Sequence, residues 1–367
     1  MRSPDKHIAD HRLILSSGVP LIDVRAPTEF ARGAFPGAVN LPLLDDEQRA
    51  AVGKCYRSEG QQAAVALGEK LVSGDLREQR LAAWCDAASR GPDSLLYCWR
   101  GGLRSETVQR WLDESKVSVA LIEGGYKALR ATCLTIIDEF ADQAQLLVLG
   151  GRTGSGKTEL LNSLPRSLDL EGLANHRGSA FGANRTPQPT PINFENALAV
   201  YLLKLHRDAP VVIEDEGRTI GRLAVPEQQH AAMQRAPLII MEVELAERSA
   251  RIWREYVDEP LLAGSDPTKL AEGYLASSDR IKRRLGGLRH TEVRRLMSAA
   301  FATDNDQHAH QLWIEALLSG YYDPMYDYQL ANKQARIVFS GDRDAVRDYL
   351  HSQTYHEQVP LDSRPGR

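Results

Sequence analysis

Apolar residues along this chain fall into short continuous runs and longer stretches with helical spacing. In the first half, VPLIDVR (19–25), SLLYC (94–98) and VALIEGG (119–125) are brief apolar runs closed by polar or glycine residues, and each predicts a short buried strand. Between them, QQAAVALGEKLVSG (61–74) and LREQRLAAWCDAASR (76–90) space Ala, Leu and Val as a helix does. Strands alternating with helices predict a parallel sheet covered on both faces.

YKALRATCLTIIDEFADQAQ (126–145) has the pattern of an amphipathic connecting helix, and a second α/β pattern begins at LLVLGG (146–151). Further strands are expected in PVVIEDEG (210–217), PLIIMEVE (237–244) and ARIVFSG (335–341). Residues 246–320 are mostly helical by pattern, broken at GSDPT and LGGL. The expected organisation is a domain over 1–131, a connecting helix over 132–145, a second α/β domain with a helical region over 146–355, and a disordered tail over 356–367.

Composition narrows the class without choosing a function. The 367 residues suffice for two domains. No apolar run reaches the ~20 residues that a membrane helix needs. MRSPDKHIADHR is too polar for a secretion signal, and a cytoplasmic protein is expected. Cys55, Cys85, Cys98 and Cys133 show no CxxC spacing, which points to reduced thiols rather than disulfides or structural zinc. A net charge of −4 requires any nucleic-acid surface to be a local patch.

Cys98 follows a strand and precedes a helix beginning near Ser105, with Arg100, Gly101, Gly102 and Arg104 between. Converging loop amides, a helix N-terminus and two guanidinium groups form a field that favours an anionic sulfur and binds an oxyanion. The other three cysteines lack such surroundings and are expected to be structural.

GRTGSGKT (151–158) satisfies the full G-x-x-x-x-G-K-[ST] pattern between a strand and a helix. Gly151, Gly154 and Gly156 allow backbone amides to wrap a diphosphate, Lys157 adds charge, Thr158 can hold Mg²⁺, and VVIEDEG supplies the acids Glu214, Asp215 and Glu216 at a strand end, Glu214 and Asp215 being the candidate Mg²⁺ partners. NKQA lacks the aspartate of a guanine-reading N-K-x-D string, which disfavours a GTPase, while ATP use stays open. For RNA, the candidates are Arg283, Arg284, Arg294 and Arg295 of RIKRRLGGLRHTEVRR, with Ile281, Leu285 and Leu288 expected to face the core. Arg177 and Arg185 of a polar loop, and the tyrosines of YYDPMYDYQL, are further candidates.

LIDVRAPTEFARGAFPGAVNLP (21–42), YCWRGGLRS and LIEGGYKAL resemble rhodanese-type sulfurtransferase domains. That resemblance implies a chalcogen carried on Cys98, with Asp23 and Arg25 holding the fold. Five residues separate Cys98 from Arg104, one more than the usual rhodanese loop, and C-x5-R-S is also the spacing of cysteine phosphatases. Tyr97 stands where those phosphatases carry histidine, and no acid loop is evident.

A rhodanese domain followed by a P-loop domain resembles the bacterial tRNA 2-selenouridine synthases over essentially the whole chain. LEGLANHRGSAFG, FEN and IEDEGRTIG support this together with the two loops. The resemblance implies exchange of sulfur for selenium in a wobble 2-thiouridine of tRNA. Selenophosphate and geranyl diphosphate would be co-substrates, and S-geranyl-2-thiouridine the intermediate. Cys98 would carry a selenyl sulfide, Arg100, Gly101, Gly102 and Arg104 would hold selenophosphate, and the P-loop would hold the diphosphate. A monomer with no prosthetic group and no firm metal site beyond Mg²⁺ is expected. Two other readings stay open: a sulfurtransferase or C-x5-R phosphatase with an ATP-binding regulatory domain, and a non-catalytic RNA-binding protein.

Overall fold

In a computed structural model, residues 7–91, 93–205, 209–303 and 305–354 are described. The chain forms two compact units: Met1–Phe140 with Pro189–Lys204, and Ala141–Gln188 with Leu205–Arg367.

The first unit holds a sheet of β1 (His7–Ile8), β2 (Leu21–Asp23), β3 (Ala38–Asn40), β4 (Leu95–Tyr97) and β5 (Ala120–Ile122), in the order β1-β5-β4-β2-β3. All its pairings are parallel. The three apolar runs become β2, β4 and β5; β1 has only two residues, and β3 is an incompletely buried edge strand within a polar and glycine-rich stretch. Ile22, Leu96 and Leu121 lie at the sheet's centre with at most 1% exposure, packed with Trp84, Val108 and Leu112 from the covering helices. The helix expected at 61–74 is the second arm of a longer element, Asp46–Leu71, bent at Gly60 (φ 86°).

The amphipathic segment after β5 forms the helix Gly125–Gln143, and Cys133, Ile136, Ile137 and Phe140 are buried on it. Up to Phe140 it belongs to the first unit. Pro189–Lys204, within the expected second domain, packs with the first unit. Asn193 accepts from the Ala34 amide at 2.7 Å, and Asn196 donates to the Ala34 carbonyl at 2.8 Å. Such a contact crosses 159 residues, so no local pattern reveals it. The tail expected over 356–367 lies outside the described residues.

The second unit contains a parallel sheet of β6 (Leu146–Gly150), β7 (Ser167–Leu168), β8 (Val211–Glu214), β11 (Leu238–Met241) and β12 (Ile337–Gly341), ordered β12-β11-β6-β8-β7. A small antiparallel pair, β9 (Thr219–Ile220) and β10 (Leu223–Ala224), follows β8. Between β11 and β12 lies the expected helical region, built around Val257, Val293, Met297, Ile314 and Leu318.

Its two expected breaks occur. Asp266 caps Pro267–Leu285 after Gly264, and Gly286 (φ 89°) separates that helix from Gly287–Phe301. The second break corrects one expectation. Ile281 and Leu285 face the core, but Leu288 is 91% exposed, because the turn at Gly286 resets the helical phase.

Candidate functional site

The first candidate site grows from β4. Cys98 is the residue after that strand, and the loop closes at Gly102, which caps the helix Leu103–Glu114. Open parallel sheets bind ligands beyond the carboxyl ends of their strands, the position occupied by this loop. Gly101 (φ 67°) and Gly125 (φ 58°) let two turns meet: a Cβ on Gly125 would stand 2.5 Å from both the Gly101 nitrogen and the Cys98 oxygen. The amides of Tyr126 and Lys127 donate to the carbonyls of Cys98 and Trp99 at 2.9 and 3.0 Å. The first helical turn after β5 therefore fixes the loop instead of facing an anion.

Cys98 is 4% exposed, and the Ser105 hydroxyl donates to its Sγ at 3.2 Å. Arg100 is exposed beside it. Arg104 forms a two-point pair with Glu29, at 2.5 and 3.2 Å, on the rim of the same cavity. Asp23 and Arg25, both fully buried, form an ion pair at 2.6 Å; Arg25 also donates to the Gly33 carbonyl and lies 3.7 Å from the Tyr126 ring centre. They brace β2 against the loop, as fold-holding residues would.

The cavity over Cys98 has a volume of about 460 Å³. One wall is the helix Asp46–Leu71, which sequence patterning did not connect with the cysteine.

A second candidate site lies at the end of β6. Gly151, Gly154 and Gly156 all have positive φ, and the helix Lys157–Asn162 follows. Lys157 donates to the Gly151 carbonyl at 2.8 Å, closing the loop on itself. Gly156 is favoured by its φ of 82°, and a Cβ there would meet the guanidinium ends of Arg251 (Nη1, 2.5 Å) and Arg343 (Nη1, 2.8 Å). Both arginines pair with Glu159, and each keeps one buried guanidinium nitrogen without a hydrogen-bond partner. Neither was expected from sequence, since they come from the segments after β11 and β12. Arg251 and the loop line a cavity of about 790 Å³ with Thr158, Tyr322 and Tyr326, and Arg343 stands against Gly156.

The acidic wall differs from expectation. Asp215 lines this cavity and accepts Lys333 through both oxygens at 2.7 Å, so its charge is matched within the protein. Glu214 and Glu216 of the same strand end stand with Glu171, their carboxylate oxygens lying within 4.8 Å of one another. Glu214 is 1% exposed, and its Oε2 has no hydrogen-bond partner. Burial and then Glu216 raise Glu171 to about 8; burial and Asp215 raise Glu216 to about 7 against the pull of Lys157. Burial and Glu171 raise Glu214 well above the usual carboxylate range. Three hard oxygen donors whose mutual repulsion a cation would relieve fit Mg²⁺, with Thr158 on the same cavity.

The RNA candidates scatter. Arg177 lines the P-loop cavity, 4.8 Å from the Tyr256 ring centre. Arg185 donates to the Ala263 carbonyl, Arg294 to Asp279 and Leu275, and Arg295 to Glu292 on its own helix. Arg283 and Arg284 project from an exposed helical face. The tyrosines divide: Tyr321 and Tyr322 are core, Tyr326 lines the cavity, and Tyr328 is 75% exposed.

Comparison with known proteins matches both units. Residues 7–132 fit the rhodanese-like domain model, and residues 144–357 fit the tRNA 2-selenouridine synthase AAA domain model. A tRNA 2-selenouridine synthase from Marinobacter nauticus is 46% identical, covering 94% of this chain and 97% of its own. One from Pseudomonas fluorescens is 48% identical, covering 94% and 98%.

Proposed function

The chain belongs to the tRNA 2-selenouridine synthase family, and we propose that it exchanges sulfur for selenium in a wobble 2-thiouridine of tRNA by way of an S-geranyl intermediate. Geranyl diphosphate and selenophosphate are the co-substrates of this reading. The observation that carries it is chemical division: one loop offers a thiol (Cys98), the other a lysine and an arginine suited to diphosphate (Lys157, Arg251), with Arg343 packed against Gly156.

At the P-loop, the thiocarbonyl sulfur attacks C1 of geranyl diphosphate. The C–O bond breaks with its electron pair going to diphosphate, and N3 of the base loses its proton. Lys157 and Arg251 stabilise the charge that develops on the leaving group. The carboxylates Glu171, Glu214 and Glu216 would hold Mg²⁺, which supplies further charge neutralisation. Alkylation converts a poor leaving group into a thiolate that departs readily.

At the other loop, Cys98 is the nucleophile toward selenophosphate. Selenium in that donor is already at the selenide level, whereas a selenyl sulfide on Cys98 holds it two electrons higher and requires an oxidant. Attack at phosphorus is redox-neutral: the S–P bond forms, the P–Se bond breaks, and selenide leaves with the pair. Selenide adds to C2, the C2–S bond breaks, geranylthiolate takes a proton, and N3 regains one. Water then returns Cys98 to the thiol and releases phosphate. Ser105, donating to Sγ, would ease departure of that sulfur. A cytosolic monomer is the form in which we expect it to act.

The test is nucleoside mass spectrometry of a 2-thiouridine anticodon stem-loop incubated with the protein and geranyl diphosphate, selenophosphate, or both. S-geranyl-2-thiouridine with the first and 2-selenouridine only with both support the proposal. Unmodified nucleoside in every reaction would return the choice to a sulfurtransferase or a phosphatase with a regulatory ATPase unit.

A further inference from the structure

The cavity over Cys98 is larger and more apolar than a phosphate-sized donor requires. Beside the sulfur, Arg100 and Gly102 of the loop line it and could hold an oxyanion. The rest of its wall sets hydrocarbon from Leu43, Leu44, Val52 and Ala64 among the polar side chains of Arg49, Arg57, Gln61 and Glu69. Tyr56, Val65, Trp99 and Leu103, exposed by 55, 38, 40 and 45%, all stand on this same cavity. Large apolar side chains scattered singly over a surface need no explanation, but four converging on a reactive thiol mark a binding surface.

We propose that this cavity holds the hydrocarbon substituent on the departing sulfur, the geranyl chain of S-geranyl-2-thiouridine, while selenium enters C2. This rests on the pathway proposed above and adds a second prenyl site, distinct from the one that binds geranyl diphosphate. Two features favour a hydrocarbon chain over a second protein segment. The space is a cavity of about 460 Å³ rather than a flat face, and Cys98 is part of its wall, where the bond to the alkylated sulfur must break. The P-loop cavity, walled by Lys157, Glu171, Glu216 and Arg251, suits the charged diphosphate end of the donor instead. Retaining the chain beside Cys98 orients C2 toward the selenium nucleophile. It also makes selenation selective for alkylated RNA over the unalkylated base.

The test uses the full-length protein, selenophosphate, and stem-loops already carrying S-geranyl- or S-methyl-2-thiouridine, at RNA concentrations below saturation. Wild type should convert the geranyl substrate roughly tenfold or more faster than the methyl one, the scale set by burying a few extra methylene groups. Val65→Glu and Leu103→Glu, on two different elements and both at exposed positions, should each bring that ratio close to one, whereas Val65→Ile should keep it. A wild-type ratio near one, or a ratio unchanged in both glutamate variants, overturns the cavity assignment and leaves the pathway standing. Conversion of plain 2-thiouridine by selenophosphate alone, or failure of wild type on both alkylated substrates, overturns the pathway and the cavity with it.

Discussion

Arg104 is held by Glu29 through two contacts, Nη1–Oε2 at 2.5 Å and Nη2–Oε1 at 3.2 Å. The arginine that sequence spacing assigns to the anion is thus already paired across 75 residues with the helix Pro27–Arg32. The rim of the cysteine cavity is therefore set by an ion pair inside the unit.

Glu29 carries a pH signature. Burial alone would push its carboxyl up, but the hydrogen bond and charge of Arg104 outweigh this and hold it below its ordinary value. A depressed carboxylate contributes stability that is present above the unfolded value near 4.5 and lost as pH falls through the folded one. Glu29→Gln should lower stability at neutral pH by about 1.5–3 kcal/mol, the scale of a charged hydrogen bond. It should also flatten the acid limb of a urea-denaturation series measured against pH.

The carboxylate cluster has the opposite sign. Glu171 and Glu216 are raised from 4.5 to about 8 and about 7, so without a cation the folded state loses stability as pH rises from about 4.5 towards 8. Mg²⁺ should restore stability over that window and bind more tightly as pH rises, because it competes with protons. Glu214→Gln should remove most of the Mg²⁺ effect. Thermal melts across pH 5 to 8, with and without Mg²⁺, test both statements.

Arg283 and Arg284 present exposed charge on Pro267–Leu285. If they contact RNA phosphates, the double Glu variant should weaken tRNA binding across sequences. It should also reduce the slope of log affinity against log salt by about 1 to 2. Arg294→Gln should instead cost stability, since its guanidinium holds Asp279 and the Leu275 carbonyl.

What sequence showed and what it missed follow from range. The strands β2, β4, β6, β8 and β11 are continuous apolar runs, and both loops are contiguous motifs, so local reading finds them. The pairing of Asp215 with Lys333 spans 118 residues, and Glu171 arrives from a segment 43 residues before Glu214, so no local pattern joins them. Arg251 and Arg343 look like ordinary helical surface residues until the fold brings both against Gly156. Leu288 fails for a local reason: periodicity was carried across Gly286, where the backbone turns. The helix Asp46–Leu71 has weak amphipathic patterning because few of its apolar residues enter the core; several line the cysteine cavity instead.

The division of chemistry between Cys98 and Lys157 is tested most directly by two variants and one supplied intermediate. Given 2-thiouridine stem-loop and both donors, Cys98→Ser should stop at S-geranyl-2-thiouridine, while Lys157→Ala should leave 2-thiouridine unchanged. Given pre-geranylated stem-loop and selenophosphate, Lys157→Ala should form 2-selenouridine and Cys98→Ser should not, as read by nucleoside mass spectrometry. Geranylation by Lys157→Ala with no selenation of supplied geranylated RNA would contradict the account.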